Sequence, residues 1–182
     1  RFYRPSSRRT RRVRAPRCPG SVDAGRARPN DVFFCENGAY KIVKVSIGEA
    51  TNHKFGWLTL TDIITKSSNI GSIKVGQELG ASEYYRYMKK FGFGEKLGID
   101  LPGESKGKLR DLRQWSNISL ASLSFGHEIG VTPLQMVTAI SAIANGGNLI
   151  RPHVTKAILQ NGKVTKQSNP EIINRVISEN TS

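Results

Sequence analysis

The stretch TLTDIITKSSNIGSIKVGQELG, residues 59–80, places two serines and an asparagine between two apolar helical segments. Thr59 and Asp62 are three residues apart, which is the spacing of a capping box, so a short helix is predicted to start there. Isoleucines three residues apart follow the polar triplet, and a glycine closes this second helix. Ser67, Ser68 and Asn69 are therefore predicted to lie at the junction of two helices with apolar neighbours.

The polar triplet has two interpretations. Small polar residues at a helix end commonly hydrogen-bond their own backbone, which would give the triplet a purely structural role. The apolar context favours a second interpretation, in which the side chains lie beside a cleft. A serine hydroxyl both donates and accepts, and an asparagine amide can hold the carbonyl and the N–H of a peptide together. Such a group suits a site that orients a peptide and relays a proton.

Two stretches near the triplet carry further signals. AYKIVKVSIG, residues 39–48, alternates apolar and polar residues and predicts one half-buried strand. SEYYRYMKKFG, residues 82–92, predicts a helix with Ser82 as its N-cap and with aromatic residues that form part of the core.

The C-terminal half predicts a helix and a hairpin. VTPLQMVTAISAIANGG, residues 131–147, has Thr132 as N-cap and Pro133 at the first helical position. The apolar residues predicted to form its buried face are Leu134, Val137, Ile140 and Ala144. VTKAILQNGKVTK, residues 154–166, contains an Asn-Gly pair that predicts a tight hairpin.

The net charge of +14 is unevenly distributed along the chain. Residues 1–30 hold ten Arg, no Lys and one acid, whereas residues 31–182 hold 18 basic and 13 acidic residues. The basic segment is either a disordered arm that binds nucleic acid or an anionic surface, or a segment without evolved structure, translated from another start or frame. The abrupt change from Lys to Arg favours the second explanation. The predicted division is a leader foreign to the rest, residues 1–22, and a folded domain, residues 23–182.

Several kinds of site are not predicted. No run of about 18 apolar residues and no signal-peptide pattern occurs, so we expect neither a membrane helix nor an export segment in this sequence. GESKGK, residues 103–108, lacks the glycine spacing of a phosphate loop. The three histidines and the two cysteines, Cys18 and Cys35, have no partners at metal-ligand spacing. Neither a metal nor a cofactor is therefore expected.

Four stretches, with their order and spacing, resemble the transpeptidase domain of class B penicillin-binding proteins. They are DIITKSSNIGSIKVGQELG, YYRYMKKFGFGEKLGIDLPGESKGKL, SLSFGHEIGVTPLQMVTAISAIANGG and IRPHV. The resemblance extends from Asp23 to about Val176. It implies an α+β fold that is part of the penicillin-binding-protein and serine β-lactamase-like transpeptidase fold. The part is mainly the helical subdomain, with a β-hairpin near the C-terminus.

The family's catalytic signatures are a Ser-x-x-Lys helix, a Ser-x-Asn triplet and a Lys-Thr-Gly strand. The resemblance implies that Ser67 relays a proton and Asn69 orients the substrate, with both facing the cleft and Ser68 as a spacer. The one Ser-x-x-Lys, at Ser105 to Lys108, lies in a Gly- and Pro-containing loop, and no Lys-Thr-Gly occurs. We therefore expect a fragment that is inactive alone. Glu128 stands where many members have glycine, which we interpret as loop variation.

The resemblance also implies partners and a location. The ligands of the intact family are peptidoglycan stem peptides and β-lactams, with no metal and no nucleic acid. The parent protein is expected to be membrane-anchored in a cell-wall synthesis complex, serving cell division or cell shape at the extracytoplasmic, periplasmic face of the bacterial membrane. The alternative function is a basic module that binds nucleic acid or an anionic surface through residues 1–30.

Overall fold

The computed structural model describes residues 18–182. Over these residues the chain forms six α-helices and eight short β-strands. The helices are α1 (Cys18–Asp23), α2 (Leu60–Thr65), α3 (Asn69–Leu79), α4 (Ala81–Lys90), α5 (Ser119–Ser124) and α6 (Pro133–Ala144). The strands are β1 (Val32–Phe34), β2 (Ala39–Ile42), β3 (Val45–Gly48), β4 (Trp57–Thr59), β5 (Asn148–Ile150), β6 (Ala157–Gln160), β7 (Lys163–Gln167) and β8 (Ile172–Arg175).

The strands pair as four separate antiparallel ladders of two strands each: β1 with β4, β2 with β3, β5 with β8, and β6 with β7. Between residues 18 and 182 no ladder is wider than two strands, so the helices supply most of the hydrophobic core. This mixture of helices and separate strands is an α+β arrangement, as the sequence predicts.

Helix α3 contributes to all three hydrophobic clusters of the described core. Leu79 belongs to the largest cluster, in which α4 and α6 pack against the C-terminal segment. Ile70 and Val75 belong to a second cluster with α2 and β4, and Ile73 belongs to a third beneath the β2–β3 hairpin. Because α3 is packed on several sides, the position of its N-terminus, where the polar triplet lies, is set by the core.

The predicted junction of two helices at the triplet is confirmed. Helix α2 begins with a complete capping box: the Thr59 hydroxyl accepts from the Asp62 N–H, and the Asp62 carboxylate accepts from the Thr59 N–H. Helix α3 starts at Asn69 and ends at Leu79, with Gly80 as its C-cap. The Asn-Gly hairpin is confirmed as well, as β6–β7.

The prediction of one strand over residues 39–48 is wrong, because the segment is the β2–β3 hairpin. Val43 and Lys44 form its turn, and Val43 adopts a φ of +55°. The side chains of Val43 and Val45 are exposed. The hairpin residues that pack against the third cluster are Tyr40, Ile42 and Ile47.

Two details of the predicted helices are also wrong. Helix α4 begins at Ala81 with Gly80 at the N-cap, so Ser82, the predicted cap, lies within the first turn. In α6 the cap by Thr132 is confirmed, but three residues of the predicted buried face, Val137, Ile140 and Ala144, are exposed, and Leu134 is only partly buried. The residues of α6 that are buried instead are Gln135, Met136, Thr138, Ala139 and Ala142.

Gln135 explains why α6 presents this other face to the core. Its side-chain nitrogen lies 3.1 Å from the carbonyl oxygen of Gly92, 2.8 Å from that of Glu95 and 3.0 Å from that of Lys106. Its side-chain oxygen accepts from the Thr132 N–H at 2.9 Å. A buried polar side chain is tolerated when it is hydrogen-bonded, and here it connects α6 to two loops.

Helix α1 begins at Cys18, so the predicted boundary between residues 22 and 23 falls inside this helix. Ser21 is fully buried, and Gly20 packs closely on the ring of Tyr87. The remainder of the predicted leader, residues 1–17, lies outside the described residues. None of the six helices between Cys18 and Ser182 has both the length and the hydropathy that a bilayer-spanning helix requires.

Candidate active site

Ser67 turns the chain from α2 into α3. The Ser67 N–H donates to the carbonyl of Ile64 at 3.2 Å, and the Ser68 N–H donates to that of Ile63 at 3.0 Å. These two bonds are those of a Schellman motif, whose turn residue must be left-handed and is usually glycine. Ser67 adopts this conformation with a φ of +60°. For a residue with a Cβ this costs about 1–2 kcal/mol.

Ser68 is fully buried and caps α3. Its hydroxyl accepts from the Gly71 N–H at 2.9 Å and donates to Glu49 Oε1 at 2.5 Å. The spacer of the triplet is thus the residue that anchors the start of α3. Its neighbour Cys35 is also buried. Burial raises the pKa of the Cys35 thiol, while a hydrogen bond with Ser68 lowers it and the charge of Glu49 raises it, so that the net pKa is raised.

Asn69 is held at both its main chain and its side chain. Its backbone N–H donates to Glu49 Oε2 at 2.6 Å, and its side-chain Nδ2 donates to the carbonyl of Gly48 at 2.8 Å. Gly48 is the last residue of β3 and Glu49 follows it, and both lie about 20 residues earlier in the chain than Asn69. The Asn69 amide therefore has a fixed direction relative to the β2–β3 hairpin.

A cavity of about 740 Å³ lies beside Asn69. We refer to it as the Asn69 cavity. Its walls are the open edge of β3 with the two residues that follow, and the segment around α5. The lining residues used below are Gly48, Glu49, Asn69, Ser122, Phe125 and His127. Ser67 is not among the residues that line this cavity and lies half-buried at the turn. The structure thus brings Asn69 to the cavity and places Ser67 two residues away from it along the chain.

The loop after α5 places His127 in the cavity wall. The His127 ring packs on Phe125 with 4.5 Å between ring centroids. Glu128, which follows, has a φ of +59°, a conformation that glycine adopts without a steric cost. Its carboxylate forms an ion pair with Arg110 and accepts from the buried hydroxyl of Ser119 at 2.9 Å. These contacts hold the loop at Glu128 in place, whereas the sequence predicts only a variable loop residue at this position.

Three residues of this site have no predicted role in it from the sequence: Glu49, Ser122 and His127. Glu49 directly follows strand β3, far from the triplet in sequence, and no spacing rule connects Glu49 with the triplet. His127 lies in a loop, and no acidic or cysteine residue stands at metal-ligand spacing from it in the sequence. Among the described side chains, no group of three or more His, Cys, Asp or Glu residues is arranged to hold a metal ion.

The family model for the penicillin-binding protein transpeptidase domain matches residues 20–182, which include both helices of the junction and the Asn69 cavity. The chain belongs to the penicillin-binding protein transpeptidase family. The penicillin-binding protein PbpB of Mycolicibacterium smegmatis is 34% identical over 163 residues, which are 89% of this chain and 25% of that protein. The stage V sporulation protein D of Bacillus subtilis is 39% identical over 129 residues, 70% of this chain and 20% of that protein. The chain thus spans about a quarter or less of the length of these relatives.

Solved structures of penicillin-binding proteins share the fold. A peptidoglycan synthetase from Bifidobacterium adolescentis superimposes with a TM-score of 0.83 at 30% identity, covering 91% of this chain and 30% of the other. Penicillin-binding protein 3 of Mycobacterium tuberculosis, complexed with aztreonam, gives a TM-score of 0.81 at 33% identity, covering 90% and 36%. The resemblance inferred from the four sequence stretches is confirmed, and the chain holds part of the transpeptidase fold.

Proposed function

We propose that this chain supplies the Ser-x-Asn part of a peptidoglycan D,D-transpeptidase site. Ser67 relays a proton, and Asn69 orients the peptide that is to be cross-linked. The observation that carries the proposal is the placement of Asn69 in the wall of the Asn69 cavity, with its amide held in one direction by Gly48. A fixed amide at the rim of a cavity is what the orientation of a substrate peptide requires.

The residue at position 67 gives the second line of support. A glycine would satisfy the Schellman turn at a lower conformational cost, yet the position carries a serine in the left-handed conformation. Strained residues of this kind tend to occur at functional sites. We therefore assign the Ser67 hydroxyl, rather than that of the buried Ser68, to proton transfer.

We expect that the 182 residues alone form no acyl-enzyme. A serine nucleophile needs an aligned base, and the Ser-x-x-Lys at Ser105 to Lys108 lies in a loop where the Ser105 hydroxyl accepts from the Gly107 N–H at 3.2 Å. No helix holds Ser105 and Lys108 on one face.

The ligands of the intact site are proposed by similarity. Penicillin-binding protein 3 of Mycobacterium tuberculosis has been solved with aztreonam and with ampicillin. We infer that the intact protein binds β-lactams and peptidoglycan stem peptides, and that it acts in a cell-wall synthesis complex at the outer face of the cell membrane. The described residues give no observation that favours the alternative of a basic binding module, since most of residues 1–30 lie outside the described range.

A first experiment tests the chain as it is. After incubation with a fluorescent penicillin and denaturation, the purified chain should carry no covalent label. A labelled band that disappears in Ser105→Ala would contradict the proposal, because the loop serine would then be the nucleophile.

A second experiment tests the triplet. Residues 1–17 are replaced by the family's Ser-x-x-Lys helix, and the Lys-Thr-Gly strand is added after Ser182, so that penicillin acylation can be measured. Ser67→Ala should slow acylation by roughly 10² to 10⁴, the range typical of lost proton-transfer assistance. Asn69→Ala should weaken it through lost orientation of the substrate.

Ser68→Ala is the matched control in the grafted chain. It removes the cap of α3 and one of the three donors to Glu49, so it should lower stability by about 0.5–2 kcal/mol, while acylation by the folded fraction should slow far less than in Ser67→Ala. Equal acylation rates for folded Ser67→Ala and the parent graft would refute the catalytic assignment.

A further inference from the structure

Gly48, the last residue of β3, and Glu49, which follows it, hold Asn69 at two points. The carboxylate of Glu49 accepts from the Asn69 N–H at 2.6 Å, and the carbonyl of Gly48 accepts from Asn69 Nδ2 at 2.8 Å. Both residues also line the Asn69 cavity. The end of β3 is therefore in contact with the candidate active site as well as with the main chain that carries it.

The Glu49 carboxylate is almost completely buried, with 8% of the residue exposed. The ion pairs of the described residues do not include it. Its charge is met by donors at the start of α3: the Ser68 hydroxyl at 2.5 Å, the Asn69 N–H at 2.6 Å and the Ile70 N–H at 3.4 Å. A buried carboxylate is tolerated only where such donors surround it, and the N-terminal end of a helix favours negative charge.

This arrangement determines the direction of the Asn69 amide. Because Nδ2 donates to Gly48, the side-chain oxygen must be turned the other way. A shift of α3 relative to β3 would break the Asn69 N–H bond to Glu49 and the Nδ2 bond to Gly48 together. Glu49 opposes that shift, because its two oxygens are fixed by three donors of α3 and its cap.

We propose that Glu49 is a positioning residue for the transpeptidase site: it locks the start of α3 onto the end of β3, and thereby fixes the Asn69 amide in the direction needed to receive the substrate peptide. That this direction suits the substrate peptide rests on the proposed function. The contacts by which Glu49 holds the start of α3 are properties of this chain alone. A glutamate that only capped α3 would add stability without controlling the Asn69 side chain.

The test is made on the 182-residue chain by ¹⁵N relaxation of the Asn69 side-chain amide. In the unmodified chain its order parameter should approach the value of about 0.85 that is typical of rigid backbone, while the exposed Asn52 side chain should fall below about 0.6. In Glu49→Gln one of the two acceptor oxygens is replaced by an NH2 group, so the three donors at the start of α3 can no longer all be accepted, and the Asn69 order parameter should fall towards that of Asn52. Glu49→Asp keeps the charge on a shorter side chain and should give an intermediate value.

Glu36→Gln is the matched control. Glu36 pairs with Lys74 of α3 at 2.8 Å, so this change removes a glutamate that contacts α3 more than one helical turn after Asn69. It should leave the Asn69 order parameter unchanged.

If Glu49→Gln lowers the melting temperature but leaves the Asn69 order parameter unchanged, Glu49 only stabilises the start of α3 and does not control the Asn69 side chain. This result would overturn the proposal. If Glu49→Gln does not fold, the Asn69 order parameter of Glu49→Asp is compared with that of the unmodified chain instead, and an unchanged value would overturn the proposal. A mobile Asn69 amide in the unmodified chain, with an order parameter below about 0.6, would overturn it directly. Insensitivity of acylation to Asn69→Ala in the grafted chain would instead refute the proposed function and leave the Glu49 result standing.

Discussion

Ser67 adopts the left-handed backbone conformation, in which a Cβ causes steric strain. The Schellman motif at the end of α2 requires this conformation at position 67, whatever the side chain. Glycine at such a position avoids the clash between Cβ and the following carbonyl. Serine therefore occupies a position where glycine would fit with less strain, which supports a role for the Ser67 hydroxyl.

Comparison of Ser67→Gly with Ser67→Ala isolates the conformational cost, because both variants lack the hydroxyl. Ser67→Gly should be more stable than Ser67→Ala by about 1–2 kcal/mol in urea unfolding. The matched pair at Ser82, an exposed residue in the first turn of α4, should show the opposite order, since alanine is favoured over glycine in a helix by about 1 kcal/mol. An equal or higher stability of Ser67→Ala would contradict the assigned turn.

The Ser67–Asn69 triplet could be predicted from the sequence, whereas the residue that holds it in place, Glu49, could not. Ser67 and Asn69 were identified because their neighbours in the sequence carry helix signals and family motifs. Glu49 was missed because its contacts with Ser68 and Asn69 join a strand end to a helix start about 20 residues later. Such a contact depends on how β3 packs against α3, and no local pattern encodes it.

Helix α3 packs against its neighbours through glycines. A Cβ on Gly76 would overlap the hydroxyl of Ser124 in α5, and a Cβ on Gly71 would overlap the side chain of Ile63 in α2. The close approach of these helices therefore depends on the missing side chains. Because the triplet lies at the start of α3, the same contacts also hold the candidate site in place.

Gly76→Ala should destabilise the chain by about 1–3 kcal/mol through overpacking. This loss should exceed the gain of about 1 kcal/mol that alanine brings to a helix interior. Urea unfolding measures the difference, with Gly56→Ala as a control, since a Cβ there would meet Asn37 Oδ1 at an ordinary 3.6 Å. Ser124→Ala in the same chain should restore part of the loss. A Gly76→Ala chain more stable than the parent would rule out close packing of α3 on α5.

The elements that carry capping and turn residues could be predicted, and the elements without such markers could not. The caps at Thr59 and Thr132 fixed where α2 and α6 begin. The β2–β3 turn contains Val43 in a left-handed conformation that β-branched residues rarely adopt, so the alternating pattern gives no sign of a turn. The buried face of α6 cannot be predicted from the apolar pattern, because Gln135 is polar in sequence but fully hydrogen-bonded in the core.

At the scale of the whole molecule, Asp23 joins the two ends of the described chain. Its carboxylate accepts from the Tyr87 hydroxyl at 2.7 Å and from the Ser178 N–H at 2.7 Å. Burial raises the pKa of Asp23, but the hydrogen bonds from Ser178 and Tyr87 together outweigh it, and the net pKa is lowered. The end of α1, helix α4 and the C-terminal segment are thereby connected at one carboxylate.

Tyr87→Phe should lower the free energy of unfolding by about 1–3 kcal/mol, because it leaves Asp23 with one partner fewer. Burial, and then the contact with Asp23, raise the pKa of Tyr87 to about 12. A group whose folded pKa is raised contributes stability that is complete below its unfolded value, about 10, and is lost as the pH rises towards 12.

Urea unfolding between pH 8 and 12 checks this prediction, with Tyr85→Phe as the control for the loss of another phenol in the same helix. The difference in stability between the parent and Tyr87→Phe should shrink above a pH of about 10. A difference that stays constant to pH 12 would mean that Tyr87 and Asp23 are not in contact in solution.

The hydrogen bonds of Asp100 determine how its contribution to stability changes in acid. Its carboxylate accepts from the N–H groups of Val154 and Thr155 at 2.7 and 2.8 Å. The bond from Val154, followed by those from the side chain and the N–H of Thr155, lowers the pKa of Asp100 to about 2. A lowered folded pKa contributes stability above the unfolded value of about 4 that is lost as the pH falls towards 2. Asp100→Asn should therefore lose less stability than the parent between pH 4 and pH 2 in urea unfolding. An identical slope in the two chains would argue against this contact.

The four separate ladders also set an order of events in refolding. β2–β3 and β6–β7 are closed by two-residue turns, so they can form within about 1–10 μs, although isolated two-stranded hairpins are marginally stable. β1–β4 pairs Val32 with Thr59 and must first close the longer loop between them, at a greater entropic cost. The two local hairpins should therefore form and dissolve repeatedly, while the β1–β4 ladder becomes persistent only in the step in which α2 and α3 dock.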